Sequence, residues 1–283
     1  VVLLGLEGIA FFTSIPLLQV SIIGIGLGGG ILNGETNALV ADISNEAEKG
    51  SRLSLLGAFY GIGALGIPVL LSFLSEYYSF EIILQGTGMV MLIGILFCLG
   101  IRFPAPKQPQ GFPIKEGLGL LKESSLLLLS FILFFQSGIE GVCNNWTTLY
   151  LGQTTGIPEN RALIALTCMV AGLTVARLLL VVLFKKIKQE TVLRTSLITA
   201  VAGFALLTFA PGFARAAIGM ALIGAGLAST FPVILSIIGS RYASLSGTAF
   251  SVALVIALIG QTLLNSLTGI ISQGYGIVVY PYM

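Results

Sequence analysis

Residues 213–240 read FARAAIGMALIGAGLASTFPVILSIIGS and contain one charged side chain, that of Arg215. An apolar helix of about twenty residues is long enough to cross the hydrocarbon core of a bilayer, which is roughly 30 Å thick. Similar apolar blocks recur, and we predict membrane spans at 1–14, 16–41, 53–75, 81–102, 124–151, 161–185, 191–210, 213–240 and 245–271. These blocks are too long for barrel strands and lack their alternating pattern. The sequence therefore predicts an all-α, polytopic protein that is embedded in a lipid bilayer.

The composition agrees with this class and excludes several functions. Hydrophobic residues make up 55% and charged residues 9% of the 283-residue chain, whereas soluble domains carry about 25% charged residues. Histidine is absent, which removes His-based proton relays, most zinc sites and Ser-His-Asp triads. Cys98, Cys143 and Cys168 lie in different spans without metal-binding spacing. We expect no catalytic residue, no metal site and no cofactor, and the protein is not predicted to be an enzyme.

The basic residues predict the orientation of the chain. Segments 42–52, 102–123 and 185–194, together with Arg241, hold eleven of the lysines and arginines, whereas the alternate connections hold only Arg161 and Arg215. Positive charge concentrates on the cytoplasmic side of membrane proteins. We therefore expect loops 42–52, 103–123, 185–194 and 241–244 to be cytoplasmic, in a plasma (inner) membrane protein. The basic clusters are orientation signals, and no nucleic-acid partner is expected.

A proline-rich hydrophilic segment divides the chain. Residues 103–125 read FPAPKQPQGFPIKEGLGLLKESS, and we predict a partial N-terminal bundle at 1–102, a cytoplasmic linker at 103–123 and a C-terminal bundle at 124–283. GIGL at 24–27 and GAGL at 224–227 form a weak repeat between the two halves. Repeated halves are typical of transporters that rock about a central site.

Polar side chains interrupt the second predicted span, where residues 28–42 read GGGILNGETNALVAD. At 100° per residue, Asn33 and Asn37 share a helix face, and Glu35 lies roughly opposite Asn33. An ionised group at mid-membrane costs at least about 2.5–3.5 kcal/mol, so such groups usually face a cavity or a partner. We expect Asn33 and Asn37 to bind substrate and Glu35 to be a candidate for ion coupling. The alternative places Glu35 near the cytoplasmic interface.

The strongest candidate site is the segment FFQSGIEGVCNNWTTLYL, residues 134–151. Spacings of four, four and three residues put four polar groups on one stripe, which Asn145 and Trp146 flank; the stripe consists of Gln136, Glu140, Asn144 and Thr147. Carboxamides, a carboxylate and an indole suit a polyhydroxylated ligand. We expect these residues to bind substrate and Glu140 also to couple a cation. The alternative is hydrogen bonding between helices.

Two further features accompany this stripe. Gln261 and Asn265, four residues apart, form another polar edge, which we expect to bind substrate unless it serves helix packing. Arg177 precedes the basic segment KKIKQETVLR, and we interpret it as a gating residue. An ordinary interfacial anchor is the alternative reading of that charged segment.

Four stretches together resemble the major facilitator superfamily, and in particular its fucose permease-like branch of sugar–cation symporters. They are GLGGGILNGETNALVAD (26–42), SGIEGVCNNWTTLYL (137–151), GLTVARLLLVVLFKKIKQETVLR (172–194) and GLASTFPVILSI (226–237). The resemblance implies two pseudo-symmetric helix bundles, alternating access and a site at mid-membrane. It also implies that the chain corresponds to helices three to eleven with the start of the twelfth, so we expect an incomplete chain.

The function expected from this resemblance is uptake of a monosaccharide, a hexose or deoxyhexose, coupled to protons, with sodium as the other possible ion. In that branch an acid usually occupies the position of Asn33, so Glu140 is the stronger coupling candidate and Glu35 the weaker one. The alternatives are efflux of a drug-like compound and a non-transporting sugar sensor. We expect a monomer whose partner is a small-molecule substrate.

Overall fold

The computed structural model describes residues 1–104, 119–209 and 212–282, except for the side chains of Pro68, Val69 and Ser72. Within these ranges the fold is all-α, as predicted. Ten helices are described: α1 Val2–Phe11, α2 Ile15–Ile43, α3 Lys49–Leu74, α4 Phe80–Gly100, α5 Ser124–Thr155, α6 Glu159–Leu183, α7 Gln189–Phe209, α8 Phe213–Leu227, α9 Thr230–Arg241 and α10 Ser246–Tyr275. Short 3₁₀ helices cover Ala243–Leu245 and Ile277–Tyr282.

Seven helical segments of the described residues are long and apolar enough to cross a membrane. They are Ile15–Ile43, Phe80–Gly100, Ser124–Thr155, Glu159–Leu183, Gln189–Phe209, Phe213–Arg241 and Ala243–Tyr275. They confirm a multi-pass membrane protein, because lipid offers backbone groups no partners and a helix satisfies them internally. The predicted span 53–75 corresponds to α3, which ends one residue earlier, at Leu74. The prediction of a full span at 1–14 was wrong in length, since α1 has 10 residues.

The predicted span 213–240 is divided into α8 and α9. The helix is interrupted at Ala228 and Ser229, three residues before Pro232. Proline cannot donate a backbone hydrogen bond and its ring clashes with the carbonyl four residues earlier, so it fits best near the start of a helix, as Pro232 does in α9. The interruption leaves the last carbonyl groups of α8 available to side chains.

By its internal contacts the chain divides into two compact units. The first unit comprises Val1–Thr36 and Gly66–Pro109. Within it, α1 packs against α4 and against the start of α2. A Cβ at Gly5 would lie 2.6 Å from Cγ1 of Ile25, so the helices approach closely because glycine has no side chain.

The second unit comprises Asn37–Leu65 and Gln110–Met283. In it α5 packs along α10, and α8 packs between α6 and α7. Small residues again allow close contact, since a Cβ at Gly226 would lie 2.6 Å from the carbonyl oxygen of Ser196. One buried cluster contains Met169, Met220 and Ile223. Another joins Phe250 to Ala38 and Ala41, which belong to the end of α2.

The domain boundaries at 102 and 124 stay a prediction. Most of the predicted linker 103–123 lies outside the described residues, since those end at 104 and resume at 119. Segment Asn37–Leu65 belongs to the second unit because it packs on α6, α9 and α10, as the contacts below show.

Candidate functional site

Gln136 lies on α5 and is buried, with 4% of its surface exposed. Its Nε2 donates a hydrogen bond of 3.0 Å to the carbonyl oxygen of Leu227. Leu227 is the last residue of α8, where the helix interruption leaves that carbonyl without a partner in the helix. Gln136 therefore ties α5 to the broken end of α8.

Glu140 follows Gln136 by one turn of α5 and is half-buried. The guanidinium of Arg177 lies close enough to attract its carboxylate. Removal from water disfavours the charged form of a carboxylate, whereas a nearby cation favours it. The structure thus brings together Gln136, Glu140 and Arg177, which the sequence placed on two different spans.

The remainder of the predicted stripe separates into an exposed and a buried residue. Asn144 is exposed, and its Nδ2 donates to the backbone oxygen of Glu140 at 2.9 Å. Thr147 is fully buried, and its hydroxyl lies 2.7 Å from that of Tyr280. Thr147 therefore contributes to packing between α5 and the segment Ile277–Tyr282.

Asn145 and Trp146 face a different helix from the stripe. Asn145 Nδ2 donates to Oδ1 of Asn265 at 2.9 Å, and Trp146 Nε1 donates to the same oxygen at 3.2 Å. Gln261 also belongs here, because a Cβ at Gly141 of α5 would lie 2.6 Å from its Cγ. The structure assembles these residues on the seam between α5 and α10.

Arg177 is buried on α6, with 7% of its surface exposed. Its Nη1 donates to the carbonyl oxygen of Gly57 on α3 at 3.1 Å, and its own backbone oxygen accepts from Ser54 Oγ at 2.8 Å. A Cβ at Gly57 would lie 3.0 Å from Cδ and Nη1 of Arg177. Gly57 and Ser54 are contacts that the sequence reasoning missed, although the small-residue run GAFYGIGAL marks a close helix approach.

The predicted residues of α2 are distributed over both units. Asn33 and Glu35 are exposed within the first unit, whereas Asn37 is half-buried at the start of the second unit's part of the helix. Asn33 and Asn37 both interact with other groups of the protein. Their roles in substrate binding and that of Glu35 in coupling stay predictions.

Residues in or next to three of the loops predicted to be cytoplasmic, 42–52, 185–194 and 241–244, meet at one end of the second unit. Lys49 Nζ donates to Glu46 Oε1 at 2.7 Å and to Ser240 Oγ at 3.1 Å, and Ser240 also donates to Glu46. Ser246 Oγ donates to Asp42 Oδ2 at 3.1 Å. Ser51 Oγ, close to the start of α3, donates to the Val181 oxygen at 2.7 Å. These bonds join the end of α2 and the start of α3 to the C-terminal ends of α6 and α9 and to the N-terminal end of α10.

In residues 1–104, 119–209 and 212–282, no group of three or more His, Cys, Asp or Glu side chains could hold a metal ion. The absence of a cofactor stays a prediction.

Sequence comparison places the chain among transport proteins. A model of the Major Facilitator Superfamily matches residues 1–265. The Uncharacterized transporter y4wD of Sinorhizobium fredii is 22% identical over 279 residues, which are 96% of this chain and 71% of that protein.

Solved structures share the fold. FucP, a transporter captured in the outward conformation, matches with a TM-score of 0.79 at 20% identity, over 99% of this chain and 78% of FucP. A variant of the E. coli fucose:proton symporter FucP gives a TM-score of 0.80 with the same identity and coverage. The human organic anion transporter MFSD10 gives 0.76 at 15% identity, over 99% of this chain and 72% of that one. At these identities the likeness concerns the fold.

Proposed function

We propose that this chain, which belongs to the Major Facilitator Superfamily and is a multi-pass membrane transporter, takes up a monosaccharide. A proton enters together with the sugar. The monosaccharide is a hexose or deoxyhexose, and sodium is the second candidate ion. The observation that carries the proposal is the half-buried carboxylate of Glu140 on α5, near the buried guanidinium of Arg177 on α6.

Glu140 is the proposed coupling group. A carboxylate away from bulk water can bind a proton from one side of the membrane and release it to the other. When Glu140 is charged, it attracts Arg177; when it is protonated, that attraction is lost. Arg177 also bonds the backbone of α3. Proton binding at Glu140 would therefore change how firmly α6 holds α3, which gives Arg177 its proposed gating role.

The sugar is proposed to contact carboxamide and indole groups. A carboxamide both donates and accepts hydrogen bonds, which matches a hydroxyl group, and an indole offers a flat apolar surface. Exposed Asn144, the Asn145 and Trp146 pair, and Gln261 are such groups on α5 and α10; Asn37 is the corresponding candidate on α2. The fucose:proton symporter with the same fold supports the choice of substrate class.

Uptake by the reconstituted protein tests this proposal. Labelled fucose, glucose and galactose are offered to proteoliposomes under an imposed proton gradient and then a sodium gradient. We expect accumulation of one sugar under the proton gradient. We expect Glu140→Gln to abolish accumulation while sugar exchange at equilibrium continues, because the neutral carboxamide cannot carry a proton.

The matched control is Glu190→Gln. Glu190 is an exposed carboxylate on α7 that pairs with Arg194 at 2.5 Å, and its replacement should leave accumulation unchanged. If no sugar enters under either gradient, symport of a sugar is wrong, and efflux of an apolar compound becomes the function to test.

A further inference from the structure

We propose that Asn265 is a positioning residue, which holds the Trp146 indole in the orientation that the substrate meets and does not itself contact the substrate. The claim about orientation depends on contacts within the protein. The claim about substrate depends on the proposed function.

The hydrogen bonds of Asn265 are nearly all used inside the protein. Its Oδ1 accepts from Asn145 at 2.9 Å and from Trp146 at 3.2 Å, which occupies both lone pairs of an amide oxygen. Its Nδ2 donates to the backbone oxygen of Gln261 at 2.7 Å. Asn145 Nδ2 and Trp146 Nε1 are both donors, so the atom of Asn265 that faces them is its oxygen. If the Asn265 carboxamide were turned over, its NH2 group would face these two donors. Little of this carboxamide remains for a ligand.

The other end of the indole is held by packing. Gly269 follows Asn265 by four residues and lies on the same face of α10. A Cβ at Gly269 would lie 3.3 Å from Cη2 and Cζ2 of Trp146. The benzene edge of the indole therefore packs against α10 at a position that has no side chain. The hydrogen bond at Asn265 and the contact at Gly269 together hold both ends of the ring.

The neighbouring glycine of α5 allows this arrangement. A Cβ at Gly141 would lie 2.6 Å from Nδ2 of Asn265, so a larger residue would displace the carboxamide from its position. Gly141, Asn145 and Trp146 of α5 therefore interlock with the side chains of α10. An indole that is already fixed in this way loses little rotamer entropy when a ligand binds.

Fluorescence tests the positioning directly, because Trp146 is the single tryptophan of this sequence. Asn265→Leu removes the acceptor at similar volume, and we expect a lower fluorescence anisotropy from a more mobile indole. Thr262→Val is the matched control, since Thr262 is exposed on α10 and bonds its own helix at the Leu258 oxygen. Asn265→Asp retains the acceptor and should preserve the anisotropy. Equal anisotropy in Asn265→Leu and Thr262→Val would overturn the proposal.

A double-mutant cycle tests whether Asn265 acts through Trp146. Trp146→Phe retains an aromatic ring but removes the donor to Asn265. We expect Asn265→Leu alone to weaken affinity for the transported sugar about 3- to 10-fold, the size of one lost hydrogen bond, and to change it little in the Trp146→Phe background. Losses that add would show that Asn265 touches the substrate, which contradicts the positioning role. If no sugar binds, the proposed function fails, and the anisotropy still decides the positioning.

Discussion

The polar residues of α5 show which contacts can be predicted from a sequence pattern and which cannot. The sequence predicts a polar stripe through Gln136 and Glu140, and the structure places Glu140 near Arg177 and Gln136 against the end of α8. The partner of Gln136 could not be predicted, since it is the backbone oxygen of Leu227, exposed by a helix break 91 residues further along the chain. Backbone acceptors have no sequence signature. A buried carboxamide bound to one is as much a structural anchor as a ligand group.

The first prediction concerns the stability contribution of Gln136. Gln136→Leu removes the donor from the Leu227 oxygen, and leaving such a group unpaired in a buried site costs about 1–3 kcal/mol. We expect a lower midpoint of thermal unfolding in detergent. Gln153→Leu, at an exposed position of the same helix, is the control and should have a midpoint close to that of the unmodified protein. Equal midpoints for the two variants would mean that the Gln136 bonds contribute nothing.

At the scale of whole helices, the small residues of α3 determine how closely it approaches α6. Ser51 and Ser54 donate to backbone oxygens of α6, and Gly57 accepts from Arg177. The seam needs small side chains at each contact, because bulk would separate the helix backbones. Glycine patterns in membrane helices are too common to show which neighbour a helix meets, so this contact could not be predicted from sequence.

Two glycines of α3 provide a matched comparison. At Gly57 an added methyl group would lie 3.0 Å from Cδ and Nη1 of Arg177, whereas at Gly63 no heavy atom of the described chain lies within 4 Å. Overpacking typically costs about 1–3 kcal/mol, and both sites share the gain of about 0.5–1 kcal/mol from replacing helical glycine with alanine. We expect Gly57→Ala to unfold at a lower temperature than Gly63→Ala. The reverse order would show that Arg177 does not need the space at Gly57.

The positions of the helices could be predicted from the sequence. The neighbouring helix that each face contacts could be predicted only in part. Apolar runs locate the spans to within a few residues, as 124–151 lies inside α5 and 191–210 nearly coincides with α7. Asn145 and Trp146 were predicted to flank the stripe, and the structure adds that both donate hydrogen bonds to Asn265 of α10. The identity of the neighbouring helix depends on tertiary packing, which a local pattern does not contain.

At the scale of the molecule, charge predicts which loops share a side. The loops carrying Lys49, Lys185 and Arg241 lie at helix ends that bond each other within the second unit. Common sidedness agrees with the positive-inside pattern, and a cytoplasmic location for these loops is the prediction to test.

Cysteine labelling tests that orientation. Single cysteines are introduced by Glu190→Cys and Asn160→Cys, both at exposed positions at opposite ends of the second unit's helices, after replacement of Cys98, Cys143 and Cys168. We expect a membrane-impermeant maleimide added to intact cells to label the site at 160 alone, and inverted vesicles to expose the site at 190. Labelling of both sites from the same side would overturn the topology.

The central claim is that sugar and proton move together through a site containing Glu140, and the external pH of weakly buffered proteoliposomes tests it most directly. On addition of the transported sugar, the account predicts alkalinisation of the medium as protons enter with it, and no pH change for Glu140→Gln although that variant still exchanges sugar. Sugar entry by the unmodified protein without any alkalinisation would contradict proton coupling.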